Sequence, residues 1–275
     1  MTQPGTDFIF NIHAARTRHQ HVLHENLQIS QALVPNMHVD EVTHSRFLRL
    51  KTDPGPLQVS YAATVDLSHR MVPPDQIGEM WIANLPGEVL PYLYPSRYCQ
   101  SDLLHKFAVA EFGHLWQGYT RARAICDWVS ARVKFQSNTS DSFTSAIDTL
   151  NQRVGVCRDF AHLMIALCRA VNIPARFATG FDYGADPILG PPDFHAYVEA
   201  YLGNCWYLFD PSGTAIPMGF VRLATGRDAA DGAFATIFGG VVAQSPVVHI
   251  EAVPNDAGQL VLPFHTDQAL STDSD

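Results

Sequence analysis

Residues 153–176 read RVGVCRDFAHLMIALCRAVNIPAR, and this stretch predicts one well-defined helix. Its apolar residues recur at helical spacing, which is the pattern of a helix that buries one face. Asn172 and Pro174 end the pattern, because proline cannot continue a helix. Gly155 precedes the helix and would permit a tight turn into it. The sequence therefore predicts a buried helix from about residue 156 to residue 171, with Cys157 in its first turn.

The chain on either side of this helix divides into regions of different pattern. Residues 7–95 carry strand-like runs separated by proline and glycine, which is typical of an antiparallel sheet or sandwich. Three further helices are expected at about 101–113, 119–133 and 144–152, and strand-like runs follow at 175–181, 194–202 and 206–209. Helices followed by strands indicate an α+β fold. We expect a strand-rich accessory domain over 1–95 and a second domain over 96–275.

The composition describes an ordered globular protein with an acidic balance. Of the 275 residues, 47% are hydrophobic and 16% are charged, and the net charge is −9. Such a charge argues against nucleic acid or an anionic membrane as a partner. The N-terminal sequence has no signal-peptide pattern, and no apolar run is long enough to span a bilayer. Five cysteines without a CxxC spacing suit a reducing compartment, so a cytoplasmic protein is expected.

Cys157 is the candidate nucleophile. The free N–H groups and the positive end of a helix dipole favour a thiolate, so we expect this thiol to titrate well below about 8.5. Downstream, His195 begins one strand-like run and Asp210 ends the next, with a Gly203-Asn204 turn between them. A hairpin would place the imidazole beside the carboxylate, where the carboxylate orients the ring. Each residue alone has a structural explanation, since a cysteine at a helix start is commonly a small buried residue.

The sequence segments around these residues resemble those of bacterial transglutaminase-like proteins. The resemblance spans roughly residues 95–240, and it is carried by Arg153–Leu163, Ala166–Ala170, Asn172–Arg176, Asp193–Tyr197 and Trp206–Asp210, and also by Pro95–Cys99, Ile125–Val129 and Gly226–Asp231. It implies a papain-like core in which Cys157 is the nucleophile, His195 the base and acid, and Asp210 the orienting carboxylate. Tyr197 departs from the pattern, because many relatives have tryptophan there.

The resemblance also implies a chemistry. A cysteine of this kind attacks an amide carbonyl and forms a thioester, as an amide or peptide hydrolase or an acyltransferase, with a peptide or protein amide as substrate. We favour hydrolysis, because transfer needs an additional acceptor site. The alternative is a non-catalytic protein that retains the fold and binds a peptide in the cleft. The Asp182–Pro192 segment is expected to be a loop beside the site.

Other groups of residues give weaker evidence for a functional site. His13, His19, His21 and His24 form a histidine-rich stretch, but no cysteine or carboxylate cluster completes a ligand set, so a solvated edge is favoured over a metal site. No calcium-loop pattern is present, and no cofactor is expected. Cys126 and Cys168 lie on apolar helix faces and are expected in the core. For the second oxyanion donor, Trp116 and Gln152 are only guesses.

Overall fold

The buried helix predicted around Cys157 forms the centre of the fold. The computed structural model describes residues 5–184, 193–255 and 257–273. Helix α4 spans Cys157–Ala170, and every residue from position 159 to position 170 is buried. Its fully enclosed apolar side chains contact α1, α2 and α3 on one side and the main sheet on the other. Burial of each such side chain stabilises the fold by about 1.5–3 kcal/mol.

The other three helices lie close to their predicted positions. They are α1 at Ser101–Phe112, α2 at Tyr119–Arg132 and α3 at Ala146–Gln152. A capping box begins α3, since the Ser145 backbone N–H donates to Asp148 Oδ2 at 2.9 Å. Helix α1 begins at Ser101, and Gln100 precedes it without a side-chain cap.

The main sheet is antiparallel with the strand order β11-β10-β9-β12. Its strands are β9 at Ala175–Asp182, β10 at Phe194–Leu202, β11 at Cys205–Phe209 and β12 at Phe220–Gly226. The hairpin predicted between β10 and β11 is confirmed, and its turn residues Gly203 and Asn204 have φ values of 53° and 64°. Two consecutive positive φ angles suit the right-handed twist of a tight hairpin, which explains the glycine and asparagine.

Alternation along β10 gives the main sheet two different faces. Ala196, Val198 and Ala200 pack in the same apolar core as α4. His195, Tyr197 and Glu199 therefore project from the opposite face. The first turn of α4 lies beside the start of β10, since Cys157 Sγ is 4.0 Å from the carbonyl oxygen of Phe194.

The N-terminal region is rich in strands, as predicted. These are β1 at Asp7–Phe10, β2 at Gln20–Ile29, β3 at Asn36–Val39, β4 at Arg46–Lys51, β5 at Val59–Leu67 and β6 at Arg70–Val72. Short 3-10 helices follow over Pro74–Gln76, Ile82–Asn84 and Gly87–Leu93. The two-residue strands β7, Lys134–Phe135, and β8, Val154–Gly155, pair in parallel just before α4. Together the elements confirm the α+β prediction.

Two strands from the C-terminal part of the chain pair with this N-terminal region. Strand β13, Ala235–Phe238, joins β1 in the sheet β13-β1-β4-β3, and β14, Ala269–Ser271, pairs with β6. Both pairings connect chain from either side of the boundary expected at residue 95. The division into domains at that residue stays a prediction.

Candidate active site

The entry into α4 is fixed by Asp159 and Gly155. The Asp159 carboxylate is buried and accepts the Val156 N–H at 2.9 Å, so it caps the helix that carries Cys157. A Cβ on Gly155 would lie 2.7 Å from Asp159 Cβ, closer than real Cβ contacts allow. Glycine is therefore required at position 155 because the capping carboxylate approaches so closely.

The Cys157 thiol lies against the beginning of β10. Its Sγ is 4.0 Å from the carbonyl oxygen of Phe194. The backbone N–H groups of Ala196 and Arg158 donate to the sulfur, and each of these contacts favours the thiolate. Cys157 is half-buried, whereas the other four cysteines are buried, including Cys126 and Cys168 as predicted. The candidate nucleophile is thus the cysteine with exposed surface, and it faces the strand that carries His195.

The expectation of a low thiol pKa is wrong for this arrangement. Burial raises the pKa of the Cys157 thiol to about 12, and the negative charges of Asp210 and Asp182 act in the same direction. The helix N-terminus favours the thiolate, but burial and two nearby carboxylates favour the thiol, and the sequence does not reveal Asp182 as one of them. The thiol is therefore protonated at rest and needs a base to become a nucleophile.

His195 and Asp210 come together through the β10–β11 hairpin. Asp210 follows the last residue of β11, and its Oδ1 lies 3.4 Å from His195 Nε2. The carboxylate is held in turn by Ser212, whose Oγ and N–H donate to Oδ1 at 2.6 and 2.9 Å, and by the N–H of Ala215 at 3.2 Å from Oδ2. These donors fix the carboxylate in a position from which it can orient the imidazole.

A second carboxylate, Asp182, contacts the other side of the same ring. Its Oδ2 lies 3.4 Å from His195 Nδ1, and its Oδ1 accepts a hydrogen bond of 2.5 Å from the Tyr197 hydroxyl. Sequence reasoning placed Asp182 in a loop, but it is the last residue of β9. Residues 185–192 of that expected loop lie outside the described residues. The missed signal was an acidic residue ending an otherwise apolar strand.

The two carboxylates change the proton affinity of the imidazole. Burial lowers the pKa of His195, but the hydrogen bond with Asp210 and the charge of Asp182 outweigh it, so the pKa lies above its ordinary value. Burial raises the pKa of Asp182 to about 6. Burial also acts on Asp210, yet its bonds to His195 and Ser212 keep that pKa below its usual range. The two carboxylates therefore favour the protonated form of the imidazole.

Two residues near the nucleophile, His162 and Asp159, have structural roles. His162 is fully buried, stacks on Tyr98 at a ring distance of 4.9 Å, and accepts the Ala229 N–H at Nε2. Burial keeps the pKa of His162 well below its usual value, so the ring is neutral. Together with the cap formed by Asp159, these contacts anchor α4.

The N-terminal histidines do not form a site together. His13 is buried and packs against the Tyr61 ring in a tilted arrangement, and burial lowers its pKa to about 4, so the prediction of a solvated edge is wrong for this residue. His21 and His24 are exposed on β2, as expected. Across the described ranges, no group of three His, Cys, Asp or Glu side chains is arranged so that it could hold a metal ion. Within the same ranges, no helix has the length and apolar character needed to cross a bilayer.

The exposure of Trp116 and Gln152 argues against either of them as the second oxyanion donor. Trp116 is 88% exposed, and Gln152 lies exposed at the end of α3. An oxyanion donor acts from a site that excludes water. Neither side chain meets that condition in this structure.

Comparisons with known proteins agree with this architecture. The family model of the transglutaminase-like superfamily matches residues 110–211, and that of the bacterial transglutaminase N-terminal domain matches residues 2–88. A crystal structure from Cytophaga hutchinsonii, provisionally described as a cysteine protease, is 42% identical with a TM-score of 0.89, covering 98% of this chain and 93% of its own. An uncharacterized protein of Mycobacterium leprae is 30% identical over 113 residues, which are 39% of this chain and 40% of that relative.

The similarity therefore extends over both parts of the chain. The region that matches the superfamily model contains Cys157, His195 and both carboxylates, Asp182 and Asp210. In this region a helix N-terminus packs against an antiparallel sheet, as in papain-like folds. The Cytophaga hutchinsonii structure shares nearly the whole fold. The protein belongs to the transglutaminase-like superfamily.

Proposed function

We propose that this protein is a cysteine-nucleophile amide or peptide hydrolase that acts through a thioester acyl-enzyme. One observation supports it above all: the half-buried Cys157 lies at the N-terminus of α4, beside the strand whose His195 contacts Asp210. A nucleophile, a base and an orienting carboxylate in this order are the requirements for covalent acyl transfer. In this proposal Cys157, His195 and Asp210 are the catalytic triad.

The first step forms the acyl-enzyme. His195 takes the proton of the Cys157 thiol as the sulfur attacks the amide carbonyl, and a tetrahedral oxyanion forms. The C–N bond then breaks, and the imidazolium gives its proton to the leaving amine. The Cys157 N–H lies in the first turn of α4, where helix N–H groups lack an intrahelical acceptor, and is the oxyanion donor in this proposal.

The second step releases the acyl group. His195 removes a proton from water, the resulting hydroxide attacks the thioester carbonyl, and the thiolate leaves and regains the proton. An amine in place of water would give acyl transfer by the same residues. We favour water because the proposed mechanism then needs no binding site for a second substrate.

A peptide or protein amide is the proposed substrate class. The similar Cytophaga hutchinsonii structure is described provisionally as a cysteine protease, which supports this choice for the relative and, by similarity, for this chain. All five cysteines are free thiols, in agreement with the proposal of a cytoplasmic protein. Neither the substrate class nor the location follows from the family alone.

A second candidate is a peptide-binding protein without catalytic activity. It is favoured by the raised pKa of the Cys157 thiol and by the contact of each imidazole nitrogen with a carboxylate rather than with sulfur. A binding protein would hold a peptide in the cleft without consuming it.

A peptide-library experiment separates the two candidates. The wild-type protein and Cys157→Ala are incubated with a proteome-derived peptide library, and new peptide termini are read by mass spectrometry. Hydrolase activity predicts new termini with the wild type and none with an equally stable Cys157→Ala variant. Equal retention of intact peptides by both proteins, without new termini, would instead identify a binding protein. Added hydroxylamine should convert the thioester to peptide hydroxamates.

A further inference from the structure

We propose that Asp182 is a positioning residue of the active site, which Tyr197 fixes in place and which holds His195 at the nitrogen opposite Asp210. This inference rests on the proposed function for its catalytic meaning. The contact itself is independent of any activity. It adds a fourth titratable group to the expected set of Cys157, His195 and Asp210.

The geometry gives Asp182 two partners. One oxygen accepts the Tyr197 hydroxyl at 2.5 Å. The other, Oδ2, is buried, has no donor in hydrogen-bonding geometry among the described residues, and lies 3.4 Å from His195 Nδ1. A buried carboxylate oxygen without a donor is costly, so the nearby ring nitrogen is its natural partner. A small ring rotation would turn this ion-pair contact into a hydrogen bond.

The strand register explains why these groups meet. His195 is opposite Gly180 in the β9–β10 pairing, and Asp182 is two residues further along β9 on the same face. Position 180 bears no side chain, because a Cβ there would lie 1.9 Å from the carbonyl oxygen of Val221. The residue directly across from His195 therefore leaves room for the Asp182 carboxylate to reach the ring.

The groups around Asp182 come from every element that packs here. Strand β10 contributes His195 and Tyr197, the segment after β11 contributes Asp210, and α4 contributes Cys157. Strand β12 places the apolar Phe220 opposite Asp182 and against the Tyr197 ring, at a centroid distance of 4.3 Å. No Lys or Arg contacts the carboxylate among the described residues, so His195 is its cationic partner.

The negative charge of Asp182 shifts the pKa of His195 and the pKa of Cys157 in the same direction. A nearby negative charge raises the pKa of an imidazole and of a thiol, and both effects are present for His195 and Cys157. Neutralising Asp182 should therefore move the pH dependence of the Cys157–His195 pair to lower pH. Loss of a purely structural contact would lower the rate without moving the profile.

The test is an NMR titration of ¹⁵N-labelled histidine in three proteins: the wild type, Asp182→Asn, and Asp66→Asn. Asp66 is exposed on β5, so its variant removes the same charge outside the site. We expect the pKa of His195 to fall by about one unit or more in Asp182→Asn, as for an opposite charge within contact distance, and to stay unchanged in Asp66→Asn. A folded Asp182→Asn protein whose His195 titrates as in the wild type would overturn the proposal.

A measurement on the wild type covers the case in which Asp182→Asn does not fold. With ¹³C-labelled aspartate, one carboxyl should titrate near pH 6, and the His195 Nδ1 shift should inflect at the same pH. Absence of that inflection would overturn the proposal. Neither NMR readout needs a substrate. An inactive protein would therefore count against the proposed function, while the contact between Asp182 and His195 would still be decided by the titrations.

Discussion

Helix α4 and strand β2 show how differently two parts of one chain are stabilised. In α4, twelve consecutive residues from position 159 to position 170 are buried. In β2, only Gln20 of the ten residues is buried, and the strand pairs with β5 as a two-stranded ribbon. Packing on all sides fixes a side chain far better than a ribbon whose residues are mostly exposed or half-buried. The candidate nucleophile thus lies on the most constrained element, and the ribbon is free to tolerate change.

Asp210→Asn should have the largest effect, and it should be confined to activity. The amide cannot stabilise the imidazolium and favours the wrong imidazole tautomer, so the rate of substrate turnover should fall by about three to four orders of magnitude. The thermal midpoint should fall only modestly, because Asn retains one oxygen for the Ser212 donors and loses the bond from the Ala215 N–H. A near-normal rate would remove Asp210 from the mechanism. The measurement is steady-state turnover on a peptide found in the library experiment.

Leu163→Ala and Leu23→Ala compare the two elements directly. Leu163 in α4 is 0% exposed, whereas Leu23 in β2 is 57% exposed. Truncation of the buried leucine should lower the free energy of unfolding by about 2–5 kcal/mol, through lost burial and a residual cavity. Truncation of the exposed leucine should change it by less than about 0.5 kcal/mol. Urea denaturation measures both; equal effects would mean that the ribbon is packed as tightly as the helix.

Gly155→Ala should affect both stability and activity. The added methyl would lie 2.7 Å from Asp159 Cβ and displace the cap of α4. We expect a loss of about 1–3 kcal/mol, typical of overpacking, together with slower turnover because Cys157 shifts. Gly87→Ala is the matched control, since its Cβ meets nothing within 4 Å. If the two variants have the same unfolding midpoint in urea, the close contact with Asp159 does not constrain the helix start.

The smallest expected effect is a pH response limited to the ribbon. The bond with Arg46 lowers the pKa of Glu25 in β2 to about 2, with burial opposing it and Tyr61 adding to it. A depressed folded-state pKa stabilises the protein above the ordinary value of about 4.5, and that contribution is lost as the pH falls towards 2. Hydrogen exchange, corrected for intrinsic rates, should show β2 and β5 losing protection before α4. Glu25→Gln should remove this pH dependence, and an unchanged dependence would exclude Glu25 as its source.

Much of the fold follows from sequence because local signals and packing agree there. The periodic apolar residues of α4, Ser145 before α3 and the Gly203-Asn204 turn each have a local physical cause. The pairings of β13 with β1 and of β14 with β6 were not predicted, since they join segments more than 190 residues apart. Such pairings depend on the whole topology and leave no local pattern.

The candidate site was predictable in part for the same reason. His195 and Asp210 meet through a hairpin that the Gly203-Asn204 turn predicts, and Cys157 begins a helix whose apolar residues are clearly periodic. Asp182 was missed because its contact with His195 depends on the β9–β10 register and on the Tyr197 hydroxyl. The thiol pKa was wrongly predicted because desolvation and neighbouring carboxylates are properties of the folded site.

The pH dependence of Cys157 alkylation by iodoacetamide tests the triad most directly, with His195→Ala measured alongside. The other four cysteines are buried, and mass spectrometry of the labelled peptide assigns the reaction to Cys157. If His195 takes the thiol proton as the sulfur attacks, alkylation of the wild type should rise as the imidazole loses its own proton, well below the thiol pKa of about 12, and His195→Ala should lose this reactivity. Alkylation that rises only near or above that pH, equally in both proteins, would contradict an activated Cys157–His195 pair.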